Sequence, residues 1–140
     1  VIVLDTHIWH WWTNQIAGKL TSAQIALIEE ADEIAVSAIS CFEMAWLHRH
    51  GRIDLGMSFE VWLAEVEASA TVSFLPVTPR IAARAVALPE HHKDPQDRLI
   101  IATALIHQAY LMSFDGHFPD YRELKGRLIT AELSKGTNAP

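Results

Sequence analysis

Asp5, Glu43, Asp97 and Asp115 are the residues of this 140-residue chain whose types and places suit chemistry. Each stands where a regular element begins or ends. Asp5 follows the apolar run 1–4, Glu43 lies just past Ser40, Asp97 comes directly after Asp94-Pro95-Gln96, and Asp115 follows the apolar run 110–113. Brought within a few ångströms of one another, four carboxylates raise each other's pKa unless a cation neutralises them. No lysine or arginine recurs beside all four, so a divalent metal ion is the economical partner. An all-oxygen, carboxylate-rich set with room for water suits Mg²⁺ or Mn²⁺ better than zinc. Such an ion serves phosphodiester chemistry, by activating a water and neutralising the charge that develops on phosphate.

Each acid also has a plain local explanation. Ser40-x-x-Glu43 fits a capping box, and Asp94-Pro95-Gln96-Asp97 fits an N-cap, a proline at the first helical position and an acid favoured by the helix dipole. Asp5 and Asp115 suit turn or capping positions. Helical phase argues against the local explanation for two of them. Glu43 shares a face with Ile39, Trp46, Leu47 and His50, and Asp97 shares one with Ile100, Ile101 and Ala104. An unpaired charge on an apolar face costs several kcal/mol, on the order expected for buried ions, so something must compensate it.

The elements that would position these acids alternate. Residues 1–4 read as a strand and 7–17 as an aromatic-rich helix with a core stripe of Ile8, Trp12 and Ile16, His10 opposite and Trp11 at the flank. A helix over 22–31 capped by Thr21 or Ser22, a strand over 34–37 and a helix from Ser40 to His50 stopped by Gly51 follow. Then come a helix over 58–69, a strand over 71–77, a helix over 78–88 and an exposed loop over 89–94. A buried helix runs to about residue 109, a strand covers 110–113, and a weak strand lies near 127–130. Strands alternating with helices imply a three-layer α/β/α fold around a parallel sheet of four to five strands. In such a sheet the strand ends and helix N-termini gather at one edge, where ligands bind. The expected organisation is one domain over 1–133 and a disordered tail over 134–140.

Composition excludes several classes. A single cysteine, Cys41, rules out an internal disulfide framework, and no apolar run reaches the roughly 20 residues of a membrane span. No basic leader precedes Asp5, so a cytoplasmic address is expected, with no membrane partner. The net charge of −6 does not exclude a nucleic-acid substrate, because a clustered acidic site carries several of those charges itself. No G-x-G-x-x-G follows the first strand, and His7 stands where an aspartyl-phosphate phosphatase needs a second aspartate. His7-x-x-His10 and His91-His92 lack the further partners of a zinc site.

The succession VIVLDTH, SAISCFEMAWLHRHGRIDL, DPQDRLIIATAL and YLMSFDGHF resembles the PIN-domain family over essentially the whole chain, and within it the VapC-type toxins of bacterial toxin–antitoxin pairs. The resemblance implies a metal-dependent endoribonuclease, with Asp5, Glu43, Asp97 and, less directly, Asp115 as its catalytic, metal-holding acids. Asp94 matches a frequent extra acid. Thr6 and Ser113 match small hydroxyl positions that support the site. It also implies RNA as substrate, a cognate antitoxin as partner and a second copy of the chain in a homodimer. Arg49, Arg52, Lys93 and Arg98 are the cations expected near the acidic edge for RNA. The extra imidazoles His7 and His117 fall near the same edge. Of the five tryptophans, Trp11 is expected at an interface, and Trp12, Trp46 and Trp62 in the core. The alternative reading is a catalytically silent PIN-like module that binds RNA or protein.

Overall fold

The computed structural model describes residues 1–131. Five strands, β1 (Ile2–Leu4), β2 (Ile34–Ser37), β3 (Ser73–Leu75), β4 (Tyr110–Met112) and β5 (Leu128–Ile129), form one sheet in the order β3-β2-β1-β4-β5. All neighbours run parallel, with Val3 opposite Ala35 on one side and Leu111 on the other. Side chains alternate across β1, so Ile2 and Leu4 enter one core with Val36 and Met112 while Val3 enters the other with Ala35 and Leu111. Both faces are covered, and that is why these strands read as unbroken apolar runs.

Helices α1 (Thr6–Thr13), α2 (Ser22–Glu29) and α4 (Phe59–Ser69) cover the first face through Ile8, Trp9, Ile28, Trp62 and Val66. On the second face α6 (Pro95–Ile106) supplies Ile100, Ile101 and Ala104, joined by Phe118, Tyr121 and Leu124 from two 3₁₀ turns. Helix α5 (Pro79–Ala87) packs on α6 through Ile81, Ala85 and Ala102. Helix α3 (Ala38–Arg49) touches both α1 and α6, bridging the two layers at the sheet's carboxyl edge. The expected three-layer architecture is the observed one. The tail over 134–140, together with the end of the expected 1–133 domain, lies outside the described residues.

Several local expectations change. Helix α1 stops at Thr13 rather than near residue 17, and its sealed residues are Ile8 and Trp9, with His10 also buried. Trp12 and Ile16 are half-buried, because Trp9 docks edge-on to Phe74 and against Trp62 and takes the place expected of Trp12. Trp46 is exposed and stacks on His50 at 4.0 Å instead of joining the core. Helix α3 begins earlier than expected: Ser37 is its N-cap and Ser40 is already inside it, so no Ser40–Glu43 capping box forms. The buried face of α3 is set by Ser40 and Met44, and Glu43 sits half-buried beside it.

Candidate active site

The strand order reverses direction between β1 and β4. The chain leaves β1 toward β2 and leaves β4 toward β5, so the two connections part and open a crevice beyond the strand ends. Asp5 leaves β1 and accepts from Ile8 N at 2.9 Å as the N-cap of α1. Ser113 and Asp115 leave β4, and Ser113 Oγ accepts from Asp115 N at 3.1 Å. Glu43 comes in from α3 and Asp97 from the first turn of α6. All four acids, with Asp94, line one cleft of about 370 Å³.

The small hydroxyls hold the acids in place. Thr6 Oγ1 donates to Glu43 Oε1 at 2.6 Å, with Ser40 Oγ at 2.9 Å on its other side. This contact accounts for Ser40 better than capping does, since its hydroxyl is fully buried against α1. Ser113 is also sealed, and its hydroxyl donates to Asp5. Asp94 caps α6 through Gln96 N and Asp97 N, at 2.9 and 3.1 Å.

The electrostatics register the crowding. Burial pushes the Asp5 carboxyl up to about 6, against the Ser113 and Ile8 hydrogen bonds and the His7 charge, and the charge of Asp97 adds to the rise. Burial likewise pushes Asp97 up to about 6, with the charges of Asp94, Asp115 and Glu43 adding and a hydrogen bond from His92 opposing. At Asp115 burial also acts upward, but the backbone N–H and imidazole of His117, with the charge of His92, outweigh it and hold the carboxyl below its ordinary value.

Two histidines complete the rim. His92 Nε2 lies 2.8 Å from Asp97 Oδ2, His117 Nδ1 lies 2.9 Å from Asp115 Oδ1, and the two rings stack at 4.3 Å and 12°. The sequence signal at His117 was its place beside Asp115. His92 was read as part of an exposed loop and is instead half-buried on a catalytic candidate, five residues away along the chain.

Arg98 is a correction. Expected to face a substrate, it is buried, and its guanidinium donates to the carbonyls of Pro89, His92, Val86 and Leu88 at 2.6 to 3.2 Å. Tyr121 Oη donates to the same His92 carbonyl at 3.2 Å. The five donors of an arginine fork suit this gathering of carbonyls, which pins the loop between α5 and α6 and with it His92. Arg49, Arg52 and Lys93 are exposed but do not line the cleft.

The donor set fits a hard divalent cation: carboxylates from four separate elements line one cleft, and two of them are held up to about 6 by burial and mutual repulsion. Among the described residues no three His, Cys, Asp or Glu side chains stand close enough to close on one ion as they are. Glu43, Asp97 and Asp115 are each drawn instead to a protein donor through one oxygen.

The PIN domain model matches residues 2–124. Ribonuclease VapC22 of Mycobacterium tuberculosis (strain ATCC 25618 / H37Rv) is 41% identical over 122 residues, covering 86% of this chain and 92% of that protein. Among solved structures, a toxin-antitoxin complex from Klebsiella pneumoniae is similar with TM-score 0.62 at 21% identity, over 93% of this chain and 97% of that one. The sarcin-ricin loop cleaving toxin VapC20 of Mycobacterium tuberculosis gives TM-score 0.64 at 21% identity, over 88% and 98%. At those identities the structural likenesses speak for the fold.

Proposed function

The chain belongs to the PIN domain family, and from that premise we propose that it is a metal-dependent endoribonuclease, the toxin of a toxin–antitoxin pair. The observation that carries the reading is the convergence of Asp5, Glu43, Asp97 and Asp115, from four elements, on one cleft at the strand-order reversal. The 41% identity to a ribonuclease supports RNA as substrate, and the likeness to a toxin-antitoxin complex supports an antitoxin partner. A homodimer and a cytoplasmic address belong to the same reading. No helix among the described residues is long and apolar enough to cross a membrane.

Asp5, Glu43, Asp97 and Asp115 would hold Mg²⁺ or Mn²⁺, which when bound supplies Lewis acidity and charge neutralisation at the phosphate. The chain's own residues do the positioning. Thr6 fixes the Glu43 carboxylate, Ser113 fixes Asp5, and the pinned His92 fixes Asp97. Asp94 satisfies the first N–H groups of α6, so that Asp97 is presented from a rigid helix start. Arg49, Arg52 and Lys93 lie outside the cleft and are proposed to meet the RNA backbone beyond it.

Purified chain incubated with RNA tests the assignment. Cleavage is expected with Mg²⁺ or Mn²⁺ and not in chelator. Glu43→Gln keeps an acceptor for Thr6 and the fold, yet is expected to lose cleavage by at least about a hundredfold, on the scale of losing a catalytic group. Full activity in that variant would sink the proposal. The silent binding module is the second reading, and the separation of the acids toward protein donors is the observation on its side. It requires RNA or protein binding with no metal-dependent turnover.

A further inference from the structure

One wall of the acidic cleft is aromatic. His7 and Trp11, four residues apart on α1, share a face with ring centroids 5.9 Å apart and planes inclined by 51°. Phe114, which leaves β4 between Ser113 and Asp115, continues the row at 6.0 Å from Trp11 and 42°. All three line the same cleft as the carboxylates, so the reversal of strand order that gathers the acids gathers these rings as well. Trp11 and Phe114 back onto the edge of the first core, and both still line the cleft. Trp9 is sealed between Trp62 and Phe74, whereas Trp11 stays half-buried with its ring at the cleft. Lys19 adds a cation, its Nζ 5.5 Å from the centre of the Trp11 ring.

We propose that the wall formed by His7, Trp11 and Phe114 is a stacking subsite for a nucleobase next to the scissile phosphate. The proposal rests on the ribonuclease reading and adds to it the side chains that hold a base beside the cleaved bond. Every base carries a π face, and aromatic side chains bind single strands through it. In an A-form duplex each base is already stacked and its edges face a partner, so a base reaches a protein ring only when splayed out of a loop, bulge or end. The cleft, at about 370 Å³, has the size of a small-ligand site and takes one nucleotide rather than a helix.

The test removes the ring from the protein and the base from the RNA. A single-stranded RNA cleaved at one bond is prepared with single abasic sites at each position within two nucleotides of that bond, and as a duplex with its complement. Wild type is expected to cleave the duplex poorly and to lose about tenfold in kcat/KM at one abasic position, mainly through KM, on the scale of one stacked base. Trp11→Leu is expected to lose about as much on intact RNA and nothing further on that abasic RNA, with Trp11→Phe recovering most of the loss. Equal losses for Trp11→Leu on intact and abasic RNA, or a wild type indifferent to every abasic site, overturn the subsite while leaving the ribonuclease reading standing. Wild-type protein that cleaves no RNA with either metal overturns both. The wild-type series decides the matter even if Trp11→Leu folds poorly.

Discussion

Replacing Asp5 by asparagine is expected to stabilise the metal-free protein while destroying its proposed activity. The Asp5 carboxyl is 7% exposed and is held at about 6 against 3.8, chiefly by burial. An acid whose folded-state pKa is raised is neutral at no cost below the lower value, and its ionisation opposes folding progressively as pH rises between the two. Above about pH 6 the full penalty applies. A rise from 3.8 to about 6 corresponds to about 3 kcal/mol at neutral pH, at 1.36 kcal/mol per unit. Asparagine keeps an oxygen for Ile8 N and is as good an N-cap as aspartate. Its new amide N–H group is buried, which takes back on the order of 1 kcal/mol. The net gain is about 2 kcal/mol, or roughly 6 °C in Tm for a domain of this size. Urea denaturation in chelator at pH 7.5 and at pH 4 measures it. The variant should be the more stable at pH 7.5, with the gain gone and slightly reversed at pH 4 because the amide cost does not depend on pH, and added Mg²⁺ should stabilise wild type alone. An Asp5→Asn protein no more stable than wild type at pH 7.5, or a gain equally large at pH 4, would refute the burial argument.

Two more outcomes follow from the same geometry. Because Asp5 and Asp97 must both lose protons to hold a cation, Mg²⁺ affinity should fall from pH 7 to pH 5 by about tenfold for each carboxyl, with proton release visible by calorimetry in buffers of different ionisation enthalpy. A pH-independent affinity would remove these two acids from the ligand set. Arg98→Met should leave the four carbonyls of the loop without their donor and cost about 3 kcal/mol or more, and Arg98→Lys should rescue little, because one ammonium cannot replace the fork. Hydrogen exchange over 88–94 should quicken in both. A stable Arg98→Met with only weakened RNA binding would return Arg98 to the substrate surface.

The linear sequence was enough to reveal the alternation of strands and helices, the parallel sheet and the four acids, because these depend on short-range patterns. Apolar runs in β1 and β2 are buried on both faces, Ser58 and Thr78 cap the next helix through their own side chains, and Asp94-Pro95 starts α6 as its chemistry requires. Where an element is covered from two sides, pattern alone misleads. The stripe of α1 shifted from Trp12 to Trp9 because α4 and β3 supply Trp62 and Phe74 to receive it. Ser40 was read as a cap because its partner, Thr6, is 34 residues away. The inward turn of Arg98 depended on four carbonyls meeting at one point, and the pairing of His92 with Asp97 on a loop whose path that same arginine fixes. The acids themselves were visible as residues, but their meeting is a property of strand order. Only the parting of the chain between β1 and β4 opens the crevice into which they point, and nothing local in the sequence encodes which strands become neighbours.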